Sequence, residues 1–304
     1  MKNGLVVKDN ALINASYNLE LTEQRLIMLA IINARESGHG ITADSKLEIH
    51  ASDYTNLFNV SIDASYKALK EAVNNLFNRQ FSYIAEYKRT GKTGIVRSRW
   101  VSRIFYVDDL ALLEITFAPD VVPLITRLEE HFTSYQLKQV AHLTSKYATR
   151  LYELLIAWRE VGKVPQIEIG EFRNRLGLLE NEYRAMSDFK KRVLEPSIQQ
   201  INEYTDINVT YEQHKRGRII TAFSFEFKQK LKAKNIETQA DVLTEKQISF
   251  FAHKLAHDAT FASQYAEVGE EYADLEKRLI QKLSDSAFIK KHRKDLERVG
   301  FNIL

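Results

Sequence analysis

The sequence predicts an α+β fold: two tandem winged-helix domains, each a helix-turn-helix followed by a β-hairpin wing, with a helical C-terminal extension. Three observations predict it. A helix with apolar residues spaced four then three occurs twice, as Leu69, Val73 and Leu76 and as Leu194, Ile198 and Ile201, offset by about 125 residues; that spacing buries one face and frees the other. Under the same offset the free faces correspond, Lys67 with Arg192 and Asn74 with Gln199. Each helix is then followed by alternating strands around a basic turn.

Composition bounds the answer. A chain of 304 residues with 44% apolar content can furnish two cores of ordinary size. The absence of cysteine excludes disulfides, cysteine-ligated zinc and a thiol nucleophile, and is compatible with a reducing cytoplasm. Residues 1–10 hold no signal-peptide core and the longest apolar run nearby, 26–32, is seven residues, so neither export nor a membrane partner is expected. A net charge of +3 is too small to announce a polyanion; the distribution of charge has to make that case.

In the first half, residues 21–35 are expected as a helix opened near Thr22, whose hydroxyl can cap free amides, with Leu26, Leu29 and Ile32 toward the core and Gly38 and Gly40 ending it. A short strand at 47–49, a short helix at 52–58, the turn Asn59-Val60-Ser61 and a longer helix to about 78, capped by Ser61, complete a helix-turn-helix. Strands at 81–86 and 97–106 flank the basic turn 87–94, and Leu113, Ile115 and Phe117 alternate with Glu114 and Thr116 as a further strand. Pro119 and Pro123 bracket a junction, followed by a mainly helical connector containing 124–132.

The second half repeats the order. A helix at 145–159, a strand at 167–169, a short helix at 171–176, a turn at Gly177 and a long helix at 187–204 precede strands at 207–212 and 219–227. Pro196 sits within the long helix, where it removes a hydrogen bond, so a kink is expected. Helices are expected at 245–257, 270–283 and 288–299. The domains are accordingly 1–132, 133–230 and 231–304.

DNA binding asks for cations on an elongated surface that follows phosphates and a helix narrow enough for the major groove. Residues 86–103 carry six bases, Lys88, Arg89, Lys92, Arg97, Arg99 and Arg103, against one acid. The second hairpin places Lys215, Arg216 and Arg218 around Gly217, and an arginine at such a tip can enter a minor groove. Either hairpin alone could be a solvated, charge-protected sheet edge; two, each behind a helix-turn-helix, point to duplex DNA. On the second long helix, rotation about Leu194, Ile198 and Ile201 puts Arg192, Gln199 and Asp188 opposite the core, Lys191 on the flank and Lys190 near the core edge. Arginine pairs with guanine and glutamine with adenine, whereas Lys190 and Lys191 suit phosphates.

Enzyme chemistry lacks its parts. Gly91-Lys92-Thr93 resembles the end of a phosphate loop, but Glu86 replaces the required glycine and the segment sits in a hairpin. None of the eight histidines forms the pair flanking one apolar residue that a rolling-circle nickase uses to hold its metal. His253 and His257 are one helical turn apart, but Lys254 replaces the metalloprotease glutamate, so they read as a partly exposed helix face. No catalytic residue, cofactor or metal is expected.

Residues 10–19, Leu21-Thr-Glu-Gln-Arg-Leu, Arg150-Leu-Tyr-Glu-Leu-Leu, Phe189-Lys-Lys-Arg-Val-Leu-Glu-Pro and Ile201-Asn-Glu-Tyr-Thr-Asp-Ile together closely resemble the replication initiator (Rep) proteins of iteron-containing, theta-replicating plasmids. The resemblance covers roughly residues 5–230, and Pro196 is part of it. It implies two winged-helix domains binding directly repeated origin DNA, the second reading the major groove most specifically and the first also serving dimerisation. It further implies origin-bound monomers that help open AT-rich DNA and recruit host initiator and helicase, and dimers that repress their own promoter. A winged-helix transcriptional repressor would share every DNA-binding feature without opening an origin.

Overall fold

A helix apolar at every position has no face to offer water and must be enclosed; the run 26–32 sets that demand at the centre of the first half. The computed structural model describes residues 4–36, 41–126, 131–230, 245–267, 269–283 and 285–300, and the chain divides into two units, Met1–Lys230 and Leu231–Leu304. Strand β1 (Leu5–Asp9) leads into the one-turn helix α1 (Asn10–Ile13), capped where the Asp9 carboxylate accepts from the Ala11 N–H at 2.7 Å, and then the two-residue strand β2 (Ser16–Tyr17). Helix α2 (Leu21–Glu36) follows, buried at every position from Leu26 to Ile32. Thr22 does not cap it. The Glu20 N–H donates to the Glu23 carboxylate at 2.7 Å, the reciprocal half of a capping box, and the helix opens at Leu21, the first residue expected. Gly38 and Gly40 lie outside the described residues.

The helix-turn-helix follows as β3 (Leu47–His50), α3 (Ala51–Phe58) and α4 (Ile62–Asn75), extended by a 3-10 turn over Leu76–Asn78. Asn59 turns the chain at φ 50°, and Ser61 Oγ accepts from the Ala64 N–H at 3.2 Å, capping α4 as its sequence predicts. Beyond it run β4 (Gln80–Tyr87), β5 (Lys92–Arg99), β6 (Val101–Val107) and β7 (Leu112–Phe117). The strand expected over 97–106 is therefore two strands in two sheets: β5 pairs with β4, β6 with β7. Trp100 is the cause. Its indole is fully buried, with ring centroids 4.9 Å from Tyr17 and 5.0 Å from Phe81, and its carbonyl accepts from Ala118 outside either ladder. Arg103 consequently leaves the basic hairpin and pairs with Glu114.

Helix α5 (Val121–Thr126) follows, but Phe132 is not helical; it opens β8 (Phe132–Gln136), which pairs with β1 from Leu5↔Gln136 to Asp9↔Phe132. Thr133 and Tyr135 are buried on one side of β8, a period-two pattern that needs a neighbouring strand. Helix α6 (Lys146–Ile156), capped by Ser145, is buried from Tyr147 to Ile156 and packs on α2, where Gln24 donates to the Lys146 carbonyl at 3.2 Å. Then come β9 (Lys163–Glu168), α7 (Ile169–Arg175), α8 (Met186–Phe189), a five-residue π turn over Lys190–Leu194, α9 (Glu195–Tyr204), β10 (Ile207–Arg216) and β11 (Ile219–Gln229). Ile169 opens α7 instead of closing the strand.

The expected kink at Pro196 takes the form of that π turn. Pro196 has no N–H to donate, and the Glu195 N–H reaches back five residues to the Lys190 carbonyl, while Ser197 Oγ donates to the Val193 carbonyl at 2.6 Å. The repeat itself is uneven. Leu21 and Lys146 open α2 and α6 at the 125-residue offset, and Leu69 with Leu194 and Leu76 with Ile201 are buried pairs at that offset. Yet β9 pairs with β11 in the order β10-β11-β9, whereas its counterpart β3 pairs with β7 in the order β3-β7-β6 and leaves β4–β5 to β2. One continuous apolar cluster reaches from Val6 to Phe227.

The second unit is helical: α10 (Glu245–Ala256), α11 (Ala259–Tyr265), α12 (Tyr272–Lys282), α13 (Ser286–Lys291) and α14 (Arg293–Arg298), around a core that includes Leu255, Leu275, Leu279 and Leu296. Helix α11, capped where Asp258 accepts from Phe261 N–H at 2.8 Å, was not expected, and the helix expected over 288–299 breaks at His292. Among the described residues no helix is long and apolar enough to cross a membrane.

Candidate nucleic-acid interface

Each hairpin projects beyond the strand that supports it. β9 pairs with β11 only between Ala222 and Glu226, and β2 pairs with β4 only at Phe81 and Ser82, so both outer ends stand without a third strand. Cations occupy those ends. Lys88, Arg89 and Lys92 surround the first tip, where the Tyr87 carbonyl accepts from Thr90 and Gly91 at 3.0 Å each. Lys215, Arg216 and Arg218 surround the second, where Gly217 takes φ +64° between the paired residues Arg216 and Ile219, as a two-residue hairpin loop with glycine first requires. All six side chains are exposed, and none has an ion-pair partner among the described residues. A cation without an internal partner keeps its full charge for phosphates.

Arg97 is exposed and unpaired among the described residues, but Arg99 is held: its Nη1 donates to the Phe77 carbonyl at 2.7 Å, and its guanidinium lies 5.4 Å from the Phe77 ring. Arg99 thus ties the hairpin to the end of α4. On the helices, the rotation count places most residues as found. Lys67 and Asn74 on α4, and Lys191, Arg192 and Gln199 on the second helix, are exposed. Lys67 pairs loosely with Glu71 at 3.7 Å and Arg192 with Asp188 at 3.9 Å, in both cases between side chains more than half exposed, where such pairs contribute little. Lys190, expected near the core edge, lies there. It is half-buried, its Nζ donating to Gln213 Oε1 at 3.3 Å and lying 5.8 Å from the Tyr211 ring, so it braces the helix against β10. Tyr66 on α4 is also exposed, at 42%, and corresponds to Lys191 at the 125-residue offset.

The two helix-turn-helix halves are joined by buried charge that hydrophobic patterning does not reveal. Arg150 Nη1 donates to Tyr17 Oη at 2.5 Å and Glu153 Oε2 at 2.7 Å; its Nη2 donates to the carbonyls of Ile13 at 2.9 Å, Ala15 at 3.1 Å and Arg175 at 2.9 Å. Glu153 also accepts from Lys8 and from Tyr135, both at 2.6 Å. Burial pushes the Glu153 carboxyl up, but Lys8 and Arg150 overcome it and hold the group down at about 2. Burial raises the Tyr17 and Tyr135 hydroxyls well above the ordinary range, so both remain donors. Gly177 closes the same joint. At φ +79°, a Cβ there would lie 2.2 Å from the Tyr17 carbonyl oxygen, so only glycine lets the turn after α7 approach β2.

The arrangement offers two exposed helices, each followed by a cationic hairpin, in one continuously packed body. Comparison with known proteins bears on what that arrangement is. The chain is 25% identical over 223 residues, 71% of its length and 92% of the relative's, to an uncharacterised 27.6 kDa protein of Escherichia coli. It is 24% identical over 246 residues, 79% of its length and 72% of the relative's, to a replication initiation protein of Escherichia coli. Among solved structures, the Pi initiator protein in complex with iteron DNA shares the fold with a TM-score of 0.61 at 24% identity, over 75% of this chain and 98% of that one. The profile of the WH1 domain of initiator replication proteins matches residues 5–156, and that of the WH2 domain matches residues 168–227. With both profiles matched in order on a tandem winged-helix body, the chain belongs to the initiator replication protein family.

Proposed function

We propose that this chain initiates plasmid replication by binding directly repeated origin sequences, iterons, in double-stranded DNA. The observation that carries the reading is the doubling of an exposed helix and an unpaired cationic hairpin tip at one offset within a single packed body. The Escherichia coli replication initiation protein and the iteron complex of the Pi initiator support it. Residues 133–230 are the main sequence reader through Arg192 and Gln199, with Lys191, Lys215, Arg216 and Arg218 on phosphates or in a minor groove. Residues 1–132 add Lys67, Asn74, Lys88, Arg89, Lys92 and Arg97 and serve dimerisation. Monomers hold the origin, help open an adjacent AT-rich segment and recruit host initiator and replicative helicase; dimers repress the chain's own promoter. The work is done by binding, at the plasmid in a bacterial cytoplasm.

Gel retardation of the full chain tests the reading on a fragment carrying direct repeats upstream of its reading frame and on a scrambled fragment of equal composition. Retardation of the repeat fragment at salt that releases the scrambled one supports it. Equal retardation of both removes sequence reading, and preference for a single inverted repeat over direct repeats replaces the initiator by a repressor.

A further inference from the structure

The sequence leaves His253 and His257 as a histidine pair on a helix face, one turn apart, without the glutamate of a protease motif. The fold adds a third group from a different helix. Glu276, on α12, reaches the pair: its Oε2 lies 3.0 Å from His253 Nδ1, and one donor atom from each of the three side chains lies within 4.8 Å of the others. The two imidazoles face each other, with ring centroids 4.3 Å apart, and Tyr272, at the start of α12, stacks on His257 at 5.1 Å and 19°.

The hydrogen bonds orient these rings for ligation. His257 Nδ1 lies 2.9 Å from the His253 carbonyl oxygen, which can only accept, so Nδ1 carries the proton and Nε2 keeps its lone pair. His253 Nδ1 faces the Glu276 carboxylate at 3.0 Å, so these two facing atoms are the ones the ion takes from this pair, the ring proton leaving as the metal enters. A second ring nitrogen bonded to a carbonyl or carboxylate is the usual support of a metal-ligating histidine. We propose that His253, His257 and Glu276 bind one zinc-class divalent ion that staples the end of α10 to α12. Two nitrogen donors and one carboxylate suit zinc and exclude magnesium and calcium, which take oxygen ligands. A tetrahedral zinc holds donors about 3.3–3.6 Å apart, so side-chain rotation closes the set, and the exposure of both histidines leaves them free to rotate. Three protein ligands leave a fourth position to water. With Lys254 where a metalloprotease has its base, the ion is structural.

Equilibrium dialysis of the tag-free full-length protein against micromolar zinc, with magnesium in excess, is the test. One zinc per chain, unaffected by magnesium, is the expected result for the parent; the His253→Ala/His257→Ala double variant loses it, and Glu276→Gln weakens it by about tenfold or more. Cobalt substituted for zinc should show the intense visible bands of a four-coordinate site in the parent alone. Circular dichroism of each variant reports whether the helices persist, and Glu276→Gln, which keeps size and hydrogen bonding, serves if the double variant does not fold. No retained zinc in the parent, or equal retention in the parent and in Glu276→Gln, overturns the site.

Discussion

At the scale of residues, Arg192 and Glu153 have opposite tasks. Arg192 is exposed and, among the described residues, held only by a 3.9 Å contact to the exposed Asp188, so its guanidinium is available to a base edge. Arg192→Ala should cost about 1–3 kcal/mol of binding to the repeat and relax the preference for it. Competition binding with repeat and scrambled duplexes checks this; an equal loss on both would make Arg192 a phosphate contact. Glu153 is the single acid among Lys8, Arg150, Tyr17 and Tyr135, and removing it leaves buried cations uncompensated. Glu153→Ala should destabilise the protein by about 3–5 kcal/mol, read from urea unfolding. Because its carboxyl is held at about 2 against an ordinary 4.5, its contribution is full above pH 4.5 and is lost as pH falls toward 2. Stability measured across that window should fall less steeply in Glu153→Gln than in the parent.

At the scale of elements, the long helices were legible because a 3.6-residue period specifies its buried face locally: Leu194 and Ile201 are buried and Arg192 and Gln199 exposed, as the rotation count requires. The strand that Trp100 divides was not legible. Nothing within 97–106 marks the change of sheet, which is set by Tyr17 and Phe81 arriving from elsewhere in the chain to enclose the indole. The same holds for β1 and β8, partners more than 120 residues apart. The partner of Lys190 was not legible either, because Gln213 lies on a strand. The wings predict a separable behaviour. Lys215→Ala and Arg216→Ala should weaken binding to every sequence and lower the salt slope by about one unit per lost phosphate contact; titrations at several salt concentrations give that slope, and an unchanged one would take the second wing off the phosphates. Gly177→Ala should cost about 1–3 kcal/mol in backbone conformation, with the clash against Tyr17 in addition, measured as a lowered urea midpoint.

At the scale of the whole molecule, the doubling was visible as one offset, but the way the halves join was not. Arg150 and Glu153 lie in a helix whose other residues are mostly apolar, and only the fold shows that their charges meet Lys8, Tyr17 and the backbone of the first half. That joint gives the pair of reading elements a fixed spacing, which two domains on a loose linker would lack. A fixed spacing restricts the DNA sites both can occupy at once, and two modules on one face of a duplex fall about one helical turn apart. Hydroxyl-radical footprinting of the full chain on a single repeat tests this most directly. Two protected segments on one face, about 10 base pairs centre to centre, are the predicted result, weakened together and with unchanged spacing in Arg192→Ala. A single protected segment, or two whose spacing varies from repeat to repeat, would contradict it.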